Sequence, residues 1–266
     1  MSSVLFLFLA HLGLGIAATL LLVKREAGVQ FFRFNAGLGA VLLLIALAFR
    51  PEFANGGETS SLGLAALVVA TGALLVYWAT VGRVLAAFRS TLLWVTAVSG
   101  ATAIVVQAIS WSAVEIGSSP ALTAMSFLSS SALLGGSCTA MILGHWYLVL
   151  PSMNVSLLQG MVKFHIGSTI VRIVVVGVVV AVALSSWESP GGVGFGRYAL
   201  SLEGIFLWQR VLFGLLGPAV LAYLTWETAK IQSTQSATGI LYVDLFNVIV
   251  GEVLAKYLLV SQRVPL

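Results

Sequence analysis

Several ionisable side chains stand inside long apolar runs of this sequence, and their spacing suggests what they could do. His165, Ser168, Thr169 and Arg172 fall at i, i+3, i+4 and i+7, one continuous helical stripe. Glu252 and Lys256 are four apart with the acid first, the favourable order for a helical pair, and Asp244, Asn247 and Gly251 add a neighbouring polar face. Arg210 lies in a separate run. Together these groups could line a quinone pocket, with Arg172, Arg210 and Asp244 binding the head group and His165 and Glu252 exchanging protons. The same residues could instead conduct an anion or a proton, or form an ion-pair network that only holds helices together.

The histidines allow a second chemistry. His145 and His165 lie either side of the turn "PSMN", and His11 sits mid-way along the first apolar run, followed by Gly13 and Gly15. A bis-histidine haem b needs two facing imidazoles with small residues against the macrocycle, so His11, His145 and His165 are its candidate axial ligands. His11 and His165 match best in depth; His145 is roughly 10 Å nearer the opposite surface on ideal helix rise. The alternative is three histidines that merely hydrogen-bond across packed helices.

Other chemistries are excluded or unmotivated. Cys138 is the single cysteine, which rules out an intrachain disulfide framework and any multi-cysteine metal or iron–sulfur site. The sequence has no Walker A, GxSxG or HExxH pattern. Asn154-Val155-Ser156 is a formal glycosylation sequon in a short turn. The formal charge of +4 forms no basic run or stripe, so positively charged loops explain it and no nucleic-acid partner is expected.

The elements that must position these residues follow from composition. Of 266 residues, 59% are hydrophobic and 8% charged, with a mean hydropathy of +1.06, against roughly 25% charged in a soluble domain. The apolar runs are about 20 residues or longer, enough to cross the hydrocarbon layer as helices. The expectation is an all-α, polytopic membrane protein, one domain of about eight transmembrane helices near 3–23, 30–49, 61–82, 91–113, 121–150, 154–184, 203–229 and 238–260. Gly136, Ala140 and Gly144 have the small-xxx-small spacing of a close helix contact, and Pro218 predicts a kink. Ser233, Thr234 and Ser236 are expected to cap the last helix, and Trp78, Trp94, Trp111, Trp146, Trp187 and Trp226 to form interfacial belts.

Loop lysines and arginines set the orientation. Lys24, Arg25, Arg83, Arg89 and Lys230 share one side, against Arg50, Arg197 and Arg263 on the other with Glu52, Glu58, Glu115 and Glu188. Both termini are therefore predicted outside, in a multi-pass cell membrane of prokaryotic type. Arg33, Glu203 and Glu227 are expected near helix ends, where they can snorkel. On ideal rise Arg210, Glu252 and Arg172 lie about 10, 12 and 18 Å from the outer ends of their helices. Charges at such depth cost roughly 2.5–3.5 kcal/mol each and default to paired or functional positions. With almost no soluble mass, the expected function is a membrane subunit of a respiratory or electron-transfer complex, binding a quinone and one haem b beside partner subunits. A small-solute or proton transporter and a structural assembly subunit are the alternatives.

Overall fold

A computed structural model describes residues 2–50, 58–82, 88–112, 119–150, 153–186 and 194–266. The chain is a helical bundle with no strand among the described residues. Helices α1 (Ser2–Thr19), α2 (Val29–Ala48), α3 (Glu58–Thr80), α4 (Arg89–Trp111), α5 (Pro120–Val149) and α6 (Ser156–Ser186) follow one another with short connections. A short helix α7 (Phe195–Ala199) leads to α8 (Ile205–Val211), a π-helical turn over Leu212–Leu216, and α9 (Gly217–Lys230), which together make one long span. Helix α10 (Thr234–Gln262) closes the chain. The expected spans are thus found within a few residues of their predicted ends.

Seven of these spans, from α1 through α8–α9, are long and apolar enough to cross a membrane. This is a multi-pass membrane protein. α10 has 29 residues but carries Asp244, Glu252 and Lys256. All three are buried, so the helix presents its charges to protein, as an ionisable residue in hydrocarbon requires.

Helix α5 is the most buried span and packs against α1, α4, α6 and α10, while α3 and α4 pair at one flank and α9 lies between α6 and α10. Pro120 opens α5 at a position where its missing N–H is not needed. Close backbone approach makes the α1–α5 seam. A Cβ on Gly15 would fall 2.9 Å from the Gly135 nitrogen, and one on Gly135 would fall 2.6 Å from the Gly15 Cα. The small residues singled out by spacing serve other neighbours: Gly136 faces Phe164 and Ser168, and Gly144 faces Thr238 and Leu241. One residue along a helix is about 100° of rotation, so adjacent glycines meet different partners.

Thr19 Oγ1 lies 2.6 Å from Thr139 Oγ1 across the same seam. Thr139→Val should lower stability by about 0.6 kcal/mol, the mean for such bonds between membrane helices. A thermal melt in detergent reads this.

Two local expectations are corrected. Ser233 stands at the α10 N-cap without a side-chain capping bond, its hydroxyl donating instead to Ser236 Oγ at 3.0 Å. Trp111 is buried, whereas Trp78 and Trp94 are exposed as a belt requires; Trp187 lies outside the described residues. Pro218, where a kink is expected, stands in the first turn of α9, directly after the π-helical turn.

Candidate functional site

The buried charges gather in two places along α10. At the first, Glu252 is the hub. Arg172 from α6 grips it side-on, Nε donating to Oε1 at 2.9 Å and Nη2 to Oε2 at 3.1 Å, the bidentate geometry a planar guanidinium favours. Arg210 from α8 donates through Nη2 to Oε1 at 2.9 Å. Lys256, one turn further along α10, donates to Oε2 at 3.2 Å. Ser130 from α5 donates to Oε2 at 2.5 Å and accepts from Lys256 Nζ at 2.5 Å. One carboxylate thus joins α5, α6, α8 and α10.

Arg172 is fully satisfied. Its Nη1 also donates to the Ser126 carbonyl and hydroxyl at 2.9 Å each and to Ser129 Oγ at 3.2 Å, and its Nη2 to the Leu266 main-chain oxygen at 2.8 Å. Arg210 differs. Its Nε and Nη1 have no hydrogen-bond partner among the described residues, although the residue is completely buried. Its guanidinium lies over Gly214 in the π-helical turn, where α8–α9 and α10 touch: a Cβ on Gly214 would fall 2.9 Å from the Gly251 Cα. Both glycines are needed there because the arginine and two backbones share one notch.

The side chains of the cluster carry three formal positive charges, on Arg172, Arg210 and Lys256, against the one negative charge of Glu252. Burial without a balancing anion is costly, so the cluster favours anything that offers negative or acceptor oxygen to the free donors of Arg210. His11 from α1 borders it, Nδ1 lying 3.4 Å from Ser130 Oγ and the ring edge-on to Phe127 at 4.9 Å. The single Ser130 proton goes to Glu252, so His11 Nδ1 can only donate to Ser130.

The second place is about two turns away along α10. His165 Nε2 from α6 lies 2.7 Å from Asp244 Oδ2, both residues fully buried. The distance is that of an ion pair, but the approach is poorly aligned for N–H···O, so neither atom completes a good hydrogen bond. His165 Nδ1 and Asp244 Oδ1 likewise have no partner among the described residues. Ser168 and Thr169 turn back onto the His165 carbonyl at 2.9 and 2.8 Å. Since residues 165 and 172 of α6 meet residues 244 and 252 of α10, the two helices run parallel with matched rise.

The residues expected from spacing are therefore brought together, in two groups. Arg172, Arg210 and Glu252 converge with Lys256, while Asp244 joins His165 instead. His145 is exposed and bonded through Nδ1 to the Tyr242 hydroxyl at 2.9 Å. The three histidines have different partners. Gly13 and Gly15, which would lie against a macrocycle beside His11, are filled by α2 and α5. No three His, Cys, Asp or Glu residues converge as a metal site among the described residues. Arg33 and Lys163 stand apart from both clusters, each over an indole: Trp78 at 5.9 Å and Trp226 at 5.1 Å. Glu227 pairs with Lys230 at 2.7 Å in an exposed position, and the Glu203 side chain lies outside what is described.

Sequence reasoning missed the serines of α5. Ser126, Ser129 and Ser130 fall at i, i+3 and i+4, a polar stripe like the one on α6. It is hidden by reading the same letters as small residues for close packing.

No known protein family matches the chain, and no curated protein matches its sequence.

Proposed function

We propose that this chain is a proton-handling membrane subunit of a quinone-linked electron-transfer complex. The observation that carries the reading is the contrast between the two buried charge groups. Glu252 is saturated by four donors and acts as a hub that fixes helices. Among the described residues the His165–Asp244 pair keeps an unshared ring nitrogen and an unshared carboxylate oxygen in a buried interior, as an exchangeable acid–base pair requires.

Quinol oxidation releases two electrons and two protons. On this reading Arg210 donates its free N–H groups to a quinone oxygen, and the electrons leave to a redox centre on a partner subunit. The protons pass toward His165, which Asp244 orients and stabilises when protonated. Glu252 holds Arg210 in place. A haem has no part in this assignment.

Titrating the purified chain in nanodiscs with a short-tailed benzoquinone should raise its melting temperature saturably. Arg210→Met should abolish that response. His165→Gln and Asp244→Asn should keep it, while quinol-driven turnover of the parent complex falls about 100-fold or more. An unresponsive wild-type chain would end the quinone assignment. Proton flux into liposomes holding this chain alone, blocked by Asp244→Asn, would assign the same pair to a transporter.

A further inference from the structure

A groove at the edge of the bundle points to a ligand unrelated to either charge cluster. It lies between α2 and α3, with a volume of about 760 Å³. One end is polar, formed by Gln30, Arg33 and Trp78; the rest is apolar, including Val41, Leu44 and Leu75. Gly37 creates the polar end: a Cβ there would stand 2.7 Å from Trp78 Nε1, so only glycine lets the indole come this close to α2. The indole in turn carries the Arg33 guanidinium, whose carbon is 5.9 Å from the ring centroid. Among the described residues Arg33 makes no ion pair, and it is half-buried.

Charge at the mouth is mainly positive. Lys24 and Arg25 are exposed in the turn just before α2, and Arg25 and Arg89 both lie within electrostatic reach of the neighbouring Tyr77 phenol. Glu26 is the acid in that turn. From Arg33 to Leu44 is eleven residues, about 16 Å along a helix, close to one leaflet of a roughly 30 Å hydrocarbon layer.

We propose that this groove holds an anionic phospholipid of the adjoining leaflet, its phosphate on Arg33 and one acyl chain along Val41 and Leu44. A zwitterionic head group carries its own ammonium beside the phosphate and gains less from Arg33, the one cation lining the groove among the described residues, than a net anionic one. An anionic phosphate would gain about fivefold in occupancy from one nearby arginine. This does not depend on the electron-transfer reading.

The full chain is incorporated in nanodiscs of equal phosphatidylglycerol and phosphatidylcholine, extracted, and its retained lipid measured by native mass spectrometry. The wild type should keep phosphatidylglycerol over phosphatidylcholine by about fivefold. Arg33→Gln should bring the ratio to one, and Val41→Trp should remove retained lipid of both kinds. Equal retention by the wild type, an unchanged preference in Arg33→Gln, or a co-extracted quinone in place of the phospholipid would each overturn the proposal. Arg33 and Val41 both lie at the periphery, so neither variant disturbs the bundle interior.

Discussion

Glu252→Gln is expected to destabilise the bundle by about 3 kcal/mol or more. The isosteric amide keeps the shape but removes the carboxylate that Arg172, Arg210 and Lys256 share. Breaking a buried pair by deleting one partner typically costs about 3–5 kcal/mol, because the remaining charge stays desolvated. Here three cations lose their common partner, and the amide nitrogen would point a donor at another donor. The expected readout is a large fall in melting temperature in detergent, or loss of folded protein. Adding Lys256→Met should recover part of the loss by removing one uncompensated charge. Arg172→Met should be more damaging than Arg210→Met, since Arg172 also serves Ser126, Ser129 and the Leu266 main chain. Unaltered melting of Glu252→Gln would contradict the hub.

The second large effect is steric. Gly135→Val should prevent assembly of a folded bundle, and Gly15→Val should do the same. Each new Cβ would collide with backbone rather than with a movable side chain, so α1 and α5 would have to part. Ser131 Oγ donates to the His11 carbonyl at 2.8 Å across that seam, and Ser130 next to it completes the Glu252 hub. Separation would thus disturb packing and charge network together. Gly136→Ala is the matched control. Its Cβ would meet the Phe164 ring edge at 3.1 Å, which can rotate away, so a loss of about 1 kcal/mol is expected. Size-exclusion profiles of the three variants in detergent separate the outcomes.

Much of this was legible in sequence. Apolar runs marked the helices to within a few residues, because a chain in lipid must satisfy its backbone locally. The stripe from His165 to Arg172 marked the inward face of α6, and the four-residue step from Glu252 to Lys256 marked a pair that forms. Two kinds of fact were not legible. Helix-to-helix register decides that His165 meets Asp244 while Arg172 meets Glu252, and register is a property of pairs. The rotation of α5 decides that Gly135, not Gly136, touches α1. In lipid both faces of such a helix are apolar, so the contrast that reveals a buried face in water is missing. The π-helical turn before Pro218 was likewise hidden, since a proline indicates a disrupted ladder without saying which turn absorbs it.

The charged α10 has a consequence for how the protein is made. Asp244, Glu252 and Lys256 would each resist passage from the translocon into lipid by roughly 2.5–3.5 kcal/mol if the helix left alone. By the time ribosomes reach it, however, α5, α6 and α8 have been synthesised and can offer their serines, histidine and arginines. Helix α10 is therefore expected to enter the bilayer as a guest of its predecessors, so that truncations removing α6 would leave it stranded at the membrane surface.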